Sequence, residues 1–139
     1  MKMKFSLLTL AAALAASVSI VGCSGSSSSS DDVIKIGVFE PLTGANGAGG
    51  ADEYDGIKLA NKLFPEVLGK KVELVVVDNK SDKVEAANAA TVLAQKEKVN
   101  AVLGSWGSSL SMAGGPIFAE AKIPAVAVSA TNPAEIGRA

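Results

Sequence analysis

Four short apolar runs, separated by longer segments of helical periodicity, constrain the fold of this chain more than any other feature. The runs lie at residues 33–39, 71–78, 99–105 and 123–129 and contain many β-branched side chains, which favour strands. Alternation of strands and helices is typical of an α/β fold with a parallel sheet. The sequence therefore predicts a doubly wound parallel sheet with the element order βαβαβαβ and right-handed crossovers.

Three amphipathic segments supply the predicted helices. The first covers residues 51–64 and ends at Pro65, because proline cannot continue a helix. The second begins near Asp82, and the third begins at Ser108 or Ser109, either of which has the hydroxyl of an N-cap residue. The apolar stripe of the first helix is predicted to comprise Gly56, Ile57, Leu59, Ala60, Leu63 and Phe64.

The composition excludes several classes of function. The 139 residues contain no histidine, which removes the commonest general base and the commonest zinc ligand. One cysteine and scattered carboxylates offer no cluster of metal ligands and no internal disulfide. With 14 acidic and 13 basic residues, the chain has no cationic surplus for nucleic acid. We therefore expect no catalysis, no metal, no cofactor and no nucleic-acid partner.

The first 23 residues have the features of an export signal with a lipidation site. A charged start is followed by an apolar run over residues 5–21, too short for a permanent membrane span, which ends in the sequence IVGC. Small residues before Cys23 resemble the lipobox of bacterial lipoproteins, which implies that Cys23 is acylated. The alternative is an ordinary secretory signal with an incidental cysteine. Residues 24–32 are serine-rich and predict a flexible tether, so the body at residues 33–139 is expected to be exported and anchored to the membrane by lipid.

A glycine-rich segment at residues 41–56 raises the question of a nucleotide site. Its stretch TGANGAGG is one residue away from the TGxxxGxG fingerprint of short-chain dehydrogenases. Asp78 ends the second strand where an acid would hold a ribose, and Tyr54 and Lys58 have the spacing of the catalytic pair of those enzymes. Against this enzyme, Ala48 replaces a required glycine, three residues separate strand from loop, and Tyr54 lies within the same helix. The segment is therefore interpreted as a mobile rim over a different ligand.

The chain resembles a family of binding proteins over residues 35–135. The similarity is carried, in order, by IKIGVFEPLTG, DEYDGIKLA, GKKVELVVVDNKSD and PIFAEAKIPAVAVSATNPAE. These segments are similar to the first lobe of the branched-chain amino acid (Leu/Ile/Val) type of periplasmic binding protein, the substrate-binding subunit of ABC transporters. The resemblance implies a periplasmic-binding-protein-like lobe, an amino acid as ligand and ABC permease subunits as partners. It also implies that two lobes close around the ligand.

The resemblance implies a set of ligand-binding residues at the carboxyl ends of the strands, where α/β sheets bind their ligands. Ser108 matches a serine that binds the ligand carboxylate. Ser129 and Thr131 match positions that meet the ligand ammonium through a backbone carbonyl and a hydroxyl. Trp106 matches an apolar position that lines the pocket. The predicted ligand-binding set is Trp106, Ser108, Ser109, Ser129, Ala130 and Thr131.

Elementary chemistry agrees with a site at these loops. An amino acid carries two opposite charges, and each needs fixed partners once water is removed. The start of the third helix, near Ser109, offers free N–H groups and a positive dipole end to a carboxylate. The alternatives are structural: Ser108 is an N-cap only, and Ser129 and Thr131 only shape a turn. Trp106 would then pack beneath its own loop.

Two departures from the family are visible. Many members carry an aromatic residue that covers the ligand at the position matching Gly49, so specificity for Leu, Ile or Val stays open beside polar amino acids, amides and small carboxylates. The family has two lobes, so residues 33–139 are expected to be the first lobe, truncated before the second. A ligand-sensing domain of a receptor uses the same fold and is the other open function.

Overall fold

The computed structural model describes residues 33–135, which form a mixed α/β structure. Its strands are β1 (Val33–Glu40), β2 (Glu66–Val67), β3 (Lys70–Asp78), β4 (Ala101–Leu103) and β5 (Ala125–Val126). Its α-helices are α1 (Gly47–Leu63), α2 (Lys83–Thr91) and α3 (Ser108–Glu120). A π-helical turn (Val92–Glu97) extends α2, and a 3-10 turn (Pro133–Glu135) follows the last strand.

The strands form one sheet in the order β2-β3-β1-β4-β5, and every pairing is parallel except that of β2 with β3. Ile57 of α1 faces a depression lined by Ile36 and Leu74, whereas α2 and α3 pack on the opposite face around Phe39 and Val102. Helices on both faces of a parallel sheet confirm the predicted doubly wound α/β fold. The short antiparallel strand β2 was not predicted.

The strands differ from their predicted lengths. β1 and β3 lie within one residue of the predicted bounds, since each has a long parallel partner in the other. The predicted strands at residues 99–105 and 123–129 shrink to three and two residues. β5 is an edge strand that pairs with β4 alone, and it ends at Val126.

The core lies between the sheet and the pair α2 and α3. Small side chains on α2 let α3 approach closely, and Ala86 and Ala90 are fully buried. Phe39 and Phe118 meet edge to face with ring centroids 5.5 Å apart. A Cβ at Gly114 would stand 2.8 Å from Cζ of Phe39, so this close packing requires a glycine in α3. Asp82 caps α2 by accepting hydrogen bonds from the N–H groups of the first turn.

Within residues 33–135 the opposite face is covered by α1, and the predicted apolar stripe of this helix is confirmed only in part, since Ile57, Ala60 and Phe64 line the depression over the sheet. Ile57 is buried, but the side chains of Leu59, Leu63 and Phe64 are 57%, 63% and 71% exposed. The first turn packs closely instead, with Gly49 against Trp106 and Gly50 against Pro41, and these contacts orient the helix. It ends just before Phe64 and Pro65, as predicted.

The segments assigned to export lie outside the described residues. The proposed signal at residues 1–23, the lipidation site Cys23 and the serine-rich tether at residues 24–32 are among them, as are residues 136–139. Between residues 33 and 135, no helix combines the length and the apolar character that a membrane span requires.

Candidate functional site

The carboxyl ends of the parallel strands form one edge of the sheet. The chain leaves β1 towards β3 on one side and later crosses to β4 on the other, so the strand order reverses between β1 and β4. In doubly wound folds, ligands bind in the crevice at such a reversal. Two groups of loops border it: the Asp78 loops (residues 41–46 and 79–82) and the Ser108 loops (residues 105–109 and 128–132).

The Asp78 loops are fastened to one another by the carboxylate of Asp78. Its Oδ1 accepts from the backbone N–H groups of Leu42 at 2.8 Å, Lys80 at 2.8 Å and Thr43 at 3.3 Å. Its Oδ2 accepts from Oγ1 of Thr43 at 2.6 Å. Burial acts to raise the pKa of Asp78, but these hydrogen bonds outweigh it and the pKa is lowered. Asp78 therefore serves as an ionised anchor for both loops.

Two further side chains complete this network. Oγ of Ser81 accepts from the N–H of Asn46 at 3.0 Å and donates to the carbonyl of Thr43 at 2.7 Å. The buried Asn79 donates from Nδ2 to Oγ of Ser105 at 2.9 Å, which joins the Asp78 loops to the Ser108 loops. The loops on this side are thus built mainly for mutual support.

The residues that suggested a dehydrogenase have structural partners instead. The oxygens of Asp78 are occupied by its own loops, which leaves little capacity for a ribose. Nζ of Lys58 is paired with Asp55 at 2.6 Å and lies 4.6 Å from the ring centroid of Tyr54, on an exposed part of α1. The hydrogen bond to Asp55 raises the pKa of Lys58, opposite to what a catalytic lysine needs.

The Ser108 loops meet through the hydroxyl of Ser108. Its Oγ accepts from the N–H of Thr131 at 3.1 Å and from the N–H of Asn132 at 3.2 Å. Two shallow depressions adjoin at Asn132, one lined by Ser109 and the other by Ala130 and Thr131. The structure therefore brings four of the predicted site residues together, and the loop after β5 also carries the exposed Ser129.

The predicted N-cap of α3 is wrong by one residue. The helix begins at Ser108, and its N-cap is Gly107, with a φ of 97° that suits glycine. Glycine has no side chain to cap a helix, and no side-chain cap satisfies the first turn. The N–H groups at the start of α3 thus keep hydrogen-bonding capacity towards the crevice.

Trp106 is held between the loop and α1, and its side chain is 37% exposed. A Cβ at Gly49 would stand 2.5 Å from Cε2 of the indole, so the ring rests directly on the backbone of Gly49. The interpretation of the glycine segment as a mobile rim is therefore wrong at this point: Gly47, Gly49 and Gly50 lie in the first turn of α1. Gly50 is needed as well, because a Cβ there would collide with the carbonyl oxygen of Pro41.

Glu40 is a buried residue of this site that the sequence reasoning missed. Its Oε2 accepts from the N–H of Trp106 at 2.7 Å, a bond that spans the crevice between β1 and β4. Burial raises the pKa of Glu40 to about 8; the bond from Trp106 opposes this rise and the nearby carboxyl of Glu53 adds to it. An acidic residue that ends an apolar strand, directly before a proline, is the one signal in the sequence that could have indicated it.

No three side chains of the metal-ligating types come together within residues 33–135. Besides the buried carboxyl of Glu40, the crevice presents hydroxyls, backbone N–H and carbonyl groups and one indole. Such a site can bind a small polar molecule by hydrogen bonds and by a helix N-terminus.

Comparison with known proteins gives the family of this fold and site. Residues 33–138 match the family model described as Periplasmic binding protein. The match covers most of the sequence, so the chain belongs to the periplasmic binding protein family.

Similar proteins carry names that refer to amino acids. An amino acid binding protein of Pseudomonas aeruginosa is 33% identical over 105 residues, which are 73% of this chain and 28% of that protein. The crystal structure of the leucine binding protein LivK from Thermotoga maritima is 45% identical with a TM-score of 0.73 and covers 76% of this chain and 30% of its own. LivJ from Streptococcus pneumoniae, a branched-chain amino acid transporter substrate binding protein solved with isoleucine, is 35% identical with a TM-score of 0.70 and covers 73% of this chain and 30% of its own. The chain thus spans less than a third of the length of these relatives.

Proposed function

We propose that this chain forms the first lobe of an exported solute-binding protein, which binds an amino acid at the Ser108 loops and delivers it to an ABC permease. The family and the names of its relatives support this assignment. The proposed role is binding without catalysis. Acylation of Cys23 and the tether at residues 24–32 would keep the lobe at the membrane where the permease lies.

The observation that carries the proposal is the contact of Ser108 with the loop after β5. Since Oγ of Ser108 accepts from two N–H groups, its own O–H hydrogen is left to donate to a third partner. A ligand carboxylate placed there would also meet the uncapped N–H groups of α3 and its positive dipole end. The geometry therefore favours an anionic group at this point.

The other charge of an amino acid requires acceptors nearby. The loop that contacts Ser108 carries the hydroxyl of Thr131 and the carbonyl of Ser129, both proposed to face the ammonium. The exposed part of the Trp106 indole, two residues before Ser108, would supply apolar surface for the side chain of the ligand. An amino acid can use all three kinds of group, namely donors for its carboxylate, acceptors for its ammonium and apolar surface for its side chain, whereas a simple anion uses only the donors.

Calorimetric titration of the full-length gene product with leucine, isoleucine, valine and polar amino acids tests the proposal. Ser108→Ala and Thr131→Ala should each weaken binding of the preferred amino acid by about 1–3 kcal/mol, because each leaves a ligand charge short of a partner. Thr91→Ala is the matched control, since Oγ1 of Thr91 bonds the carbonyl of Ala87 within α2, at 2.9 Å.

Changing the ligand distinguishes the binding of its carboxylate from the binding of its ammonium. An α-keto acid of the same side chain keeps the carboxylate and lacks the ammonium, so its binding should respond to Ser108→Ala and not to Thr131→Ala. Equal affinity of the wild-type protein and both site variants for the preferred amino acid would contradict the proposed site.

A further inference from the structure

Two carboxyl groups, each with a buried oxygen, lie near each other at the crevice, and the proposed function does not use them. Glu40, at the end of β1, is completely buried. The carboxyl of Glu53, in α1, lies close enough to Glu40 to raise its pKa. Oε1 of Glu40 and Oε2 of Glu53 are both buried without a hydrogen-bond partner among residues 33–135. Unsatisfied buried oxygens on two neighbouring carboxyls require an explanation.

One shared proton satisfies both oxygens. A protonated carboxyl donates to a carboxylate, whereas two ionised carboxylates would repel each other in a site with little water. Of the ionisable groups in the described part of the chain, Glu53 is the one whose charge acts on Glu40. Asp78 pairs with Glu40 in register, but its oxygens are directed to the Asp78 loops, and β4 and residues 104–106 carry no ionisable side chain. Within residues 33–135 no cation acts on Glu40, so we take the proton to be what holds the pair together.

Glu40 and Glu53 also lie next to the contacts that hold Trp106 in place. The other oxygen of Glu40 accepts from the N–H of Trp106 at 2.7 Å. Gly49, on which the indole rests, lies one helical turn before Glu53 in α1. The start of α1 is thus joined to the Trp106 loop at two points, the indole on Gly49 and the carboxyl pair.

We infer that Glu40 is a positioning residue: the proton that it shares with Glu53 holds α1 against the Trp106 loop and so fixes the aromatic wall of the site. The consequence for ligand affinity rests on the proposed function. The proton-dependent contact between α1 and the loop does not.

The contact should open in alkaline solution. The pKa of Glu40 is about 8, above its ordinary value of 4.5, so the folded protein retains a proton that the unfolded chain has released. Stability from this group is therefore greatest below pH 4.5 and declines as the pH rises towards 8. If only the protonated pair holds Trp106 in place, the competent fraction, and with it the apparent affinity, falls about tenfold between roughly pH 7 and pH 9.

Glu40→Gln gives the sharpest test, because glutamine imitates the protonated acid. Its carbonyl oxygen can accept from Trp106 and its amide can donate to Glu53, yet it does not titrate. The sequence contains one tryptophan, so the emission that disappears in Trp106→Phe reports this loop. In ligand-free full-length protein this emission should titrate with a midpoint near pH 8 in the wild type and stay flat in Glu40→Gln. Glu53→Gln should move the midpoint to lower pH, because its amide would stabilise the Glu40 carboxylate.

Calorimetry with leucine, or with the amino acid that binds best, completes the test. The wild type should lose about tenfold more affinity between roughly pH 7 and pH 9 than Glu40→Gln, in which only the amino group of the ligand titrates. Wild-type emission that is flat, or a midpoint that persists in Glu40→Gln, would overturn the shared proton. An emission midpoint confined to the wild type, with equal loss of affinity in both proteins, would overturn the positioning role. Absence of amino-acid binding in every variant would refute the proposed function, while the emission titration would still decide whether the proton is shared.

Discussion

The Asp78 loops and the Ser108 loops lie on the same edge of the sheet but use their polar groups in opposite ways. Asp78 alone accepts four hydrogen bonds, and Ser81 makes two more within the same loops. In the Ser108 loops, one hydroxyl joins the two segments while the side chains of Ser109, Ser129 and Thr131 remain exposed. The difference indicates that one half of the edge is a scaffold and that the other half retains the capacity to bind.

Asp78→Ala should produce the largest effect and confine it to stability. Loss of a charged acceptor of four hydrogen bonds is expected to lower the free energy of unfolding by about 3 kcal/mol, measured by urea denaturation of the full-length protein. Amino-acid affinity of the folded fraction should change much less than in Ser108→Ala. A larger loss of affinity than of stability would contradict this division of roles, because it would place the ligand at the Asp78 loops.

The pH dependence of that destabilisation provides a second check. The pKa of Asp78 is lowered from its ordinary 3.8, so its stabilisation is fully present above pH 3.8 and is lost as the pH falls through the lowered value. The stability difference between the wild type and Asp78→Ala should accordingly shrink in strong acid. A difference that stays constant down to the acid transition would argue against an ionised anchor.

Gly49→Ala should have the next largest effect and should act on the binding half. The added methyl would stand 2.5 Å from the indole of Trp106, so the ring must move, at a cost of about 2 kcal/mol in stability and with reduced ligand affinity. Gly56→Ala is the matched control in the same helix, because no atom lies within 4 Å of the position its Cβ would take. That control should stabilise the protein by about 0.5–1 kcal/mol, since alanine favours helix. The two substitutions should change stability in opposite directions. Equal changes in stability would contradict the close contact of the indole with Gly49.

Thr43→Val should give the smallest effect. It removes one donor to Asp78, the bond of 2.6 Å from Oγ1, and leaves the three backbone donors in place. A loss of about 1 kcal/mol in the free energy of unfolding is expected. In the double variant with Asp78→Ala this loss should vanish, since the partner is already absent. Additive losses would show that Thr43 acts elsewhere.

The fold was predictable where local pattern and tertiary partner agree. The β-branched runs of β1 and β3 were correctly identified, because each of these strands has a long parallel partner in the other. The lengths of β4 and β5 were not predicted correctly, because strand length depends on the neighbouring strand, which the sequence does not reveal. The apolar stripe of α1 was predicted only in part for a related reason: Gly49 and Gly50 approach Trp106 and Pro41 closely, and these contacts, which the sequence does not reveal, orient the helix.

The site was predictable in its location and less so in its detail. Polar residues after parallel strands indicated the correct edge, and Ser108 and Thr131 do meet there. Their roles towards a ligand stay predictions. The Glu40 and Glu53 pair could not be inferred from the sequence, because the two residues are 13 positions apart on different elements and meet only through the packing of α1 on β1. Glycines that suggested a flexible loop proved instead to permit close contact.

Amide chemical shifts during titration of the isotopically labelled full-length protein with its preferred amino acid test the division of the edge most directly. We expect the largest shifts at residues 106–109 and 129–132 and little change at residues 42–46 and 79–82. Shifts concentrated at Leu42, Thr43, Lys80 and Ser81, with the Ser108 loops unaffected, would contradict this division.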